Sequence, residues 1–132
     1  MLSAATVEYP AGLPRFAAEF EAVEDAAKAS GLAVTVLRCA DFTANALAWA
    51  PQIRQAGFVY GAHADAATSP IHQRDIAAVA VLALTGAGHE GHAYVLTGPQ
   101  SLTQPERVRL TRKWDLSGAR GSAGGAGSLA RR

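Results

Sequence analysis

The spacing of apolar residues predicts a helix followed by a strand in the first third of the chain. Four apolar residues recur at helical spacing after Pro14, which suits a first helical turn: Phe16, Phe20, Val23 and Ala27. We therefore expect Phe16 and Phe20 to lie on a buried stripe. Ser30-Gly31 is typical of a helix end, and the β-branched run over residues 32–37 predicts a strand buried on both faces of a parallel sheet.

The same alternation of elements continues along the chain. Residues 2–7 look like the end of a buried strand that runs into a loop, and the apolar run at residues 93–96 predicts another buried strand. Residues 76–84 form an apolar helical segment, and Asp75 is its expected N-cap. Strands that alternate with helices are typical of an α/β fold with a parallel sheet and flanking helices.

Two more helices are expected in addition to these elements. The first runs through residues 42–49, is kinked or restarted by Pro51 and ends at Gly57. The second opens at Ser101 or Thr103, with Glu106 as a candidate capping-box partner. A capping box predicts that the carboxylate of Glu106 bonds back to the residue that opens the helix.

Composition restricts the class of protein. The 132 residues, 49% of them hydrophobic, suffice for one domain. The single cysteine, Cys39, excludes an internal disulfide and a cysteine cluster for zinc, which favours a cytoplasmic protein. No segment approaches the roughly 20 apolar residues of a membrane span, so we expect no membrane partner.

Charge is distributed unevenly along the chain. Residues 1–105 carry five basic and nine acidic side chains, whereas residues 106–132 carry seven and two. Beyond residue 113 the composition shifts to Ser, Gly, Ala and Arg without periodicity, which predicts a disordered basic tail over residues 114–132. This segment has one aromatic residue, Trp114, so we expect no specific nucleic-acid partner.

Several short motifs occur in a recognisable order: Leu2-Ser3-Ala4-Ala5, Glu24 with Ser30-Gly31-Leu32, Thr35-Val36-Leu37-Arg38, Phe42 with Asn45, residues 69–77, and residues 94–99. Together they resemble the second half of NmrA-like proteins, an atypical branch of the extended short-chain dehydrogenases with an NAD(P)-binding Rossmann fold. The resemblance implies that residues 1–113 are the C-terminal part of such a domain, without its N-terminal nucleotide-binding half.

The Gly-rich turn that seats a pyrophosphate on a helix N-terminus is absent from this region of the sequence. Glycines are closely spaced within residues 118–127, but no predicted strand precedes them and no predicted helix follows. We therefore expect the isolated chain to bind no cofactor and to associate with itself through an exposed sheet edge. A truncated or misassigned reading frame is a hypothesis that would explain this arrangement.

The resemblance also bears on catalysis. Members of this superfamily use a Tyr four residues before a Lys as the proton donor. Phe16 and Phe20 stand at those positions here, and neither can donate a proton, so no catalytic residue is predicted.

Cofactor contacts implied by the resemblance lie after two of the predicted strands, on Ser3, Ala4, Ala5, Cys39, Ala40 and Phe42. Ser3 either offers its hydroxyl to the nicotinamide or caps a loop. Cys39 has no His or Lys nearby in sequence that would favour a thiolate, so it fits a small apolar filler better than a nucleophile.

Two polar residues are candidates for substrate contact. Asn45 either lines the substrate pocket or bonds a loop carbonyl, and His72 either holds a loop or borders the cleft. His89 and His92 are three residues apart but lie in a Gly-rich loop without an evident third ligand, so no metal site is predicted.

The resemblance implies that the full-length parent binds NADP(H) or NAD(H) and reduces a quinone- or azo-type acceptor. Two alternatives remain: a non-catalytic NAD(P)-sensing module that docks a regulatory partner, and an inactive truncated fragment.

Overall fold

The structure, a computed structural model, describes residues 1–122, with side chains as far as residue 113. The chain forms two compact units. The first comprises Met1–Ala44 and Thr68–Ser101, and the second comprises Asn45–Ala67 and the chain from Leu102 onward.

The strands are β1 (Leu2–Ala4), β2 (Val36–Cys39), β3 (Ala67–Thr68), β4 (Ala93–Leu96) and β5 (Leu102–Thr103). The α-helices are α1 (Pro14–Ala29), α2 (Ala50–Ala56), α3 (Gln73–Thr85) and α4 (Gln104–Ser122), and 3₁₀ helices cover Ala5–Val7 and Thr43–Trp49. Among the described residues, no helix is long and apolar enough to cross a membrane.

The first unit is built on a parallel sheet with the strand order β1-β2-β4. Ser3 lies opposite Arg38, and Arg38 lies opposite Val95. The predicted α/β architecture with a parallel sheet and flanking helices is therefore confirmed. A separate two-stranded sheet joins β3 and β5.

Two helices of this unit cover opposite faces of the sheet. Side chains alternate between faces along a strand, and register partners share a face. Ser3 and Arg38 both bond Glu24 of α1. Leu37 and Cys39 point the other way and cluster with Ile71 and with Ile76 of α3. The sheet thus lies between α1 and α3.

Strand β2 starts four residues later than the apolar run predicts. The amide of Val36 donates to His92 O at 2.9 Å, and that of Leu37 donates to Met1 O at 2.9 Å. Residues 32–35 lead into the strand, and Val34 O already accepts from the amide of Gly91 at 2.8 Å. The strand begins where both neighbours are present, because hydrogen-bonded pairing rather than local composition defines it.

The N-cap of α3 also differs from the sequence prediction. His72 is the N-cap, and its Nδ1 accepts a hydrogen bond from the amide of Arg74 at 3.1 Å. Asp75 lies in the first turn instead, where its charge favours the positive end of the helix.

Helix α1 only partly buries the stripe that its spacing predicts, because Phe20 and Ala27 are half-buried and the other two residues are exposed. Phe16 is 48% exposed and Val23 is 57% exposed. Phe16 packs edge-to-face on Phe20, with ring centroids 5.0 Å apart. The residue that α1 buries is Glu24, which is 0% exposed. The expectation that Phe16 lies in the core is therefore wrong, because polar partners on the sheet select the acidic face of the helix.

The carboxylate of Glu24 binds two strands. Its Oε1 accepts hydrogen bonds from Ser3 Oγ at 2.6 Å and from Arg38 Nε at 3.0 Å. Its Oε2 accepts one from Arg38 Nη2 at 2.8 Å, and Lys28 Nζ lies 3.5 Å away. Arg38 also pairs with Glu8. The network therefore ties α1 to both β1 and β2.

In the second unit, residues close in sequence predict the helix starts and ends more closely than they predict burial on α1. The 3₁₀ helix Thr43–Trp49 runs into α2, and Gly57 ends α2 with a φ of 76°. At the start of α4, the amide and hydroxyl of Thr103 donate to Glu106 Oε2 at 2.8 and 2.7 Å. The predicted partnership of Thr103 and Glu106 is confirmed, and it lowers the pKa of Glu106.

Helix α4 extends to Ser122. Its backbone therefore continues through residues 114–122, the first part of the segment for which the composition predicts a disordered tail. Residues 123–132, the remainder of that prediction, lie outside the described residues.

The Glu24 network makes stability depend on pH. Hydrogen bonds from Arg38, which outweigh the opposing effect of burial, lower the pKa of Glu24 from 4.5 to about 2. A carboxyl whose pKa is lower in the folded state stabilises the fold above its unfolded pKa. This contribution is lost as the pH falls from about 4.5 toward 2, and it is on the order of 3 kcal/mol. Urea unfolding at a series of pH values measures it.

Glu24→Gln should flatten this dependence and destabilise the protein at neutral pH, because the amide carries no charge and its nitrogen, which replaces one carboxylate oxygen, cannot accept a hydrogen bond from Arg38. Glu19→Gln is the matched control, since Glu19 pairs with Arg15 on the exposed side of the same helix. If the stability of Glu24→Gln depended on pH as that of the wild type does, the assignment of this dependence to Glu24 would be contradicted.

Candidate functional site

The carboxyl ends of β1, β2 and β4 lie at one edge of the sheet because the strands are parallel. Open α/β sheets bind ligands at this edge. Ala5 follows β1, residues 40–42 follow β2, and Thr97-Gly98 follows β4. The amide of Ala40 donates to Leu96 O at 2.8 Å, which holds two of these strand ends together.

A segment distant in sequence crosses this edge. Ile71 pairs with Phe42 as an isolated parallel bridge. The amide of Ile71 donates to Asp41 O at 2.9 Å, and Ile71 O accepts from the amide of Thr43 at 2.9 Å. Thr68 Oγ1 lies 3.3 Å from Asp41 Oδ2. The loop after β2 is therefore held in place along its length.

Gly98 allows the same segment to approach β4. Its amide donates to Ser69 O at 3.0 Å, and a Cβ at Gly98 would lie 1.9 Å from Pro70 O. Sequence reasoning missed this close contact between Gly98 and residues 69–70, which we call the Gly98 clamp. The Gly98-Pro99 pair directly after an apolar strand was the available signal, but nothing local names Pro70 as the neighbour.

The structure brings part of the predicted cofactor set together. Ala4 is the register partner of Cys39, so Ala4 and Ala5 lie beside Ala40 at neighbouring strand ends. Phe42, 40% exposed, follows on the same edge. These residues offer backbone groups and small apolar surfaces, together with one aromatic ring.

The side chain of Ser3 points away from the carboxyl edge of the sheet. Its side chain is 5% exposed and its hydroxyl donates to Glu24, on the face covered by α1. The hydroxyl is therefore neither presented at the strand end nor used to cap a loop.

Cys39 belongs to the hydrophobic core. The residue is 5% exposed, and its Sγ lies 3.7 Å from Leu37 O. Burial raises the pKa of the thiol, which keeps it protonated at neutral pH. This environment suits the small apolar filler predicted from the sequence.

The two predicted substrate residues lie in different units. His72 is exposed at the N-cap of α3, where its ring bonds the helix backbone. Asn45 begins the second unit. The structure therefore gives His72 a helix-capping role, and contact of either residue with a substrate stays a prediction.

The two histidines of the Gly-rich loop lie at the opposite, amino end of the sheet. His89 Nδ1 is 3.0 Å from the hydroxyl of Tyr94, and the ring of His92 stacks on that of Tyr94 at 6.0 Å. In the part of the chain that the structure describes, no group of three His, Cys, Asp or Glu residues is arranged to hold a metal ion.

Comparison with known proteins relates the chain to reductases. No protein-family model matches it. A (4-alkanoyl-5-oxo-2,5-dihydrofuran-3-yl)methyl phosphate reductase from Streptomyces griseus is 47% identical over 85 residues, 64% of this chain and 30% of the relative. An NAD(P)H azoreductase from Xenophilus azovorans is 47% identical over 77 residues, 58% and 27% of the two chains.

Similarity extends to quinone reductases. Quinone oxidoreductase 2 from Escherichia coli is 36% identical over 74 residues, 56% of this chain and 26% of the relative. The crystal structure of the E. coli NADPH-dependent quinone oxidoreductase, complexed with NADPH, superposes with a TM-score of 0.73 at 27% identity. That superposition covers 93% of this chain and 47% of the other. The chain thus spans less than half the length of the relatives it matches.

The clamp at Gly98 leads to a prediction. Gly98→Ala should destabilise the first unit by about 1–3 kcal/mol, because the new Cβ meets backbone atoms that must shift. Thermal unfolding measures the loss, and amide hydrogen exchange at Ser69 and Ile71 should speed up. Thr97→Ala, at the exposed neighbouring position, is the control and should change stability by less than about 0.5 kcal/mol. Equal effects of the two substitutions would refute the clamp.

Proposed function

We propose that this chain supplies the nicotinamide and acceptor side of an NAD(P)H-dependent reductase that acts on quinone- or azo-type acceptors. The observation that carries the proposal is its likeness to relatives with this chemistry. It is 47% identical to an azoreductase over 77 residues, and it superposes on an NADPH-dependent quinone oxidoreductase with a TM-score of 0.73.

The carboxyl edge of the sheet suits a flat, weakly polar ring. Ala4, Ala5 and Ala40 leave the strand ends uncovered by bulky side chains, and Phe42 offers an aromatic surface beside them. The bridge between Phe42 and Ile71 fixes the position of this surface. In this proposal these four residues hold the nicotinamide ring, whereas Ser3 and Cys39 shape the strands beneath it.

When bound, a reduced nicotinamide supplies a hydride, so the residues of this chain need to orient the ring and exclude water. Phe16 and Phe20 carry no proton donor, and the hydroxyl of Ser3 is engaged by Glu24. In this proposal water supplies the proton to the reduced acceptor. Quinone oxygens are readily protonated in this way, whereas an alcohol dehydrogenase needs a positioned acid.

The wider organisation follows from the NmrA-like resemblance. Residues 1–113 form the C-terminal part of the domain, and the residues that read the pyrophosphate and the ribose belong to a nucleotide-binding half outside this chain. NADP(H) and NAD(H) both fit the proposal. The partners are the nucleotide and a small acceptor, with no specific nucleic acid and no membrane, in the cytoplasm.

One observation favours a second candidate. Phe at both positions of the Tyr–Lys pair suits a non-catalytic NAD(P)-sensing module as well as a reductase that takes its proton from water. The two candidates differ in turnover and not in nucleotide binding.

Joining the full chain to the half of the E. coli quinone oxidoreductase that it does not match provides the test. The chimera is expected to oxidise NADPH with quinone or azo acceptors. Tight NADPH binding without turnover would favour the sensing module. A folded chimera that neither binds nor turns over would mean that the chain is an inactive fragment.

Substitution of Phe42 tests whether this residue belongs to the proposed site or is an ordinary surface residue. Phe42→Ala in the chimera should lower kcat/KM by about tenfold, the loss expected for one apolar contact of roughly 1.4 kcal/mol. Val23→Ala is the control, since Val23 is 57% exposed on α1 and lies neither at the sheet edge nor at a position of the Tyr–Lys pair. An equal loss in both variants would remove Phe42 from the site.

A further inference from the structure

Arg38 connects the face of the sheet that α1 covers with the proposed cofactor edge. The residue lies in β2, and its side chain is 14% exposed. Its Nε and Nη2 groups donate to the carboxylate of Glu24 on α1, and its Nη1 donates to Glu8 Oε2. Glu8 directly follows the 3₁₀ turn Ala5–Val7, which begins where β1 ends. One guanidinium therefore joins a strand, a helix and the turn at the carboxyl edge.

Local hydrogen bonds restrain this turn only weakly. Ala4, at its N-cap, makes no side-chain hydrogen bond. In the part of the chain that the structure describes, Thr6 Oγ1 is buried without a hydrogen-bond partner. The carbonyl of Ala5 accepts from the amides of Glu8 and Tyr9 at 3.1 and 2.9 Å, which closes a single turn. Short 3₁₀ turns have poor hydrogen-bond geometry, so the position of this one depends on what holds its end.

The ion pair of Glu8 and Arg38 holds that end. Arg38 is already fixed by its bonds to the buried carboxylate of Glu24. An exposed ion pair contributes little when both side chains must be ordered to form it. Here Glu8, which is 48% exposed, meets a guanidinium whose position is set beforehand. The pair therefore fixes the end of the turn relative to β2.

This arrangement requires an arginine. A guanidinium is a planar fork of N–H groups, and here it uses one edge for Glu24 and a further N–H for Glu8. The ammonium of a lysine is a compact charge and cannot reproduce the fork. Arg38 therefore does more than neutralise Glu24, since it also reaches a second carboxylate thirty positions away in the sequence.

We propose that Arg38 is a positioning residue for the nicotinamide ring and acts through Glu8 on the turn that carries Ala5. The inference rests on the proposed function, in which Ala5 and Ala40 hold the ring from neighbouring strand ends. Arg38 lies on the face covered by α1 and does not itself touch the ring. If the turn moves, Ala5 leaves the edge while Ala40 stays, so the ring loses the contacts on one side.

Hydrogen exchange of the full chain tests the link in the absence of cofactor. Glu8→Gln removes the charge that pairs with Arg38 and leaves the buried Glu24 with its partners. Protection of the Tyr9 amide, which donates to Ala5 O, should fall by about two- to fivefold, the range for loss of a partly exposed ion pair. Protection of the Ala40 amide should stay unchanged. Unchanged protection at Tyr9 would overturn the proposal.

A double-variant comparison tests whether Glu8 acts through Arg38. Arg38→Lys keeps the charge but loses the fork, so it should also lower the protection of Tyr9. Combining it with Glu8→Gln should lower the protection no further, because the pair is already broken. Additive losses would show that Glu8 holds the turn through another partner, and the proposal would fail.

Kinetics of the chimera described above test the consequence for the cofactor. Glu8→Gln should raise the KM for NADPH by about two- to fivefold, in line with the loss of protection. Destabilisation alone would lower the active fraction, and with it kcat, while KM stayed unchanged. Glu19→Gln is the matched control because it also breaks a pair of an exposed glutamate, with Arg15 on α1, and it should leave KM unchanged.

The outcomes distinguish this inference from the proposed function. A chimera whose wild type turns over, but whose KM for NADPH is unchanged by Glu8→Gln, would overturn the role of Arg38 and leave the proposed function standing. A wild-type chimera that binds no NADPH would contradict the proposed function itself, and the role of Arg38 would fail with it.

Discussion

The first unit depends on one buried carboxylate. Glu24 lies on α1, yet its bonds go to Ser3 and Arg38 on two strands. Removing a carboxylate from water is costly, so a buried one stabilises a fold only when its partners are well placed. Here the guanidinium of Arg38 contacts both carboxylate oxygens and the Ser3 hydroxyl reaches one of them. This requirement sets the rotation of α1 and leaves Phe16 on the outside.

That constraint shapes the functional edge as well. With its hydroxyl engaged below the sheet, Ser3 leaves the carboxyl ends of the strands to alanines and backbone groups. The loop after β2 is held by Ile71, and Gly98 lets that segment pass close to β4. The edge is therefore a positioned, largely apolar surface. Such a surface suits the holding of a flat cofactor ring better than acid–base catalysis.

The two ends of the sheet differ in what they offer. At the carboxyl end the crossing segment holds the loop after β2 in place, whereas the amino end opens into a largely apolar groove beside Leu2 and Leu84. The buried core between them is small and centres on Leu37, Cys39 and Ile76.

Features that depend on residues a few positions apart could be predicted from the sequence. The strand at residues 93–96, the end of α2 at Gly57 and the pairing of Thr103 with Glu106 each depend on immediate neighbours. The burial of Glu24, the direction of Ser3 and the approach of Gly98 to Pro70 depend on residues far along the chain. The local sequence does not distinguish a buried carboxylate or glycine from an exposed one. The roles of these residues therefore depend on the partners that the tertiary structure places beside them.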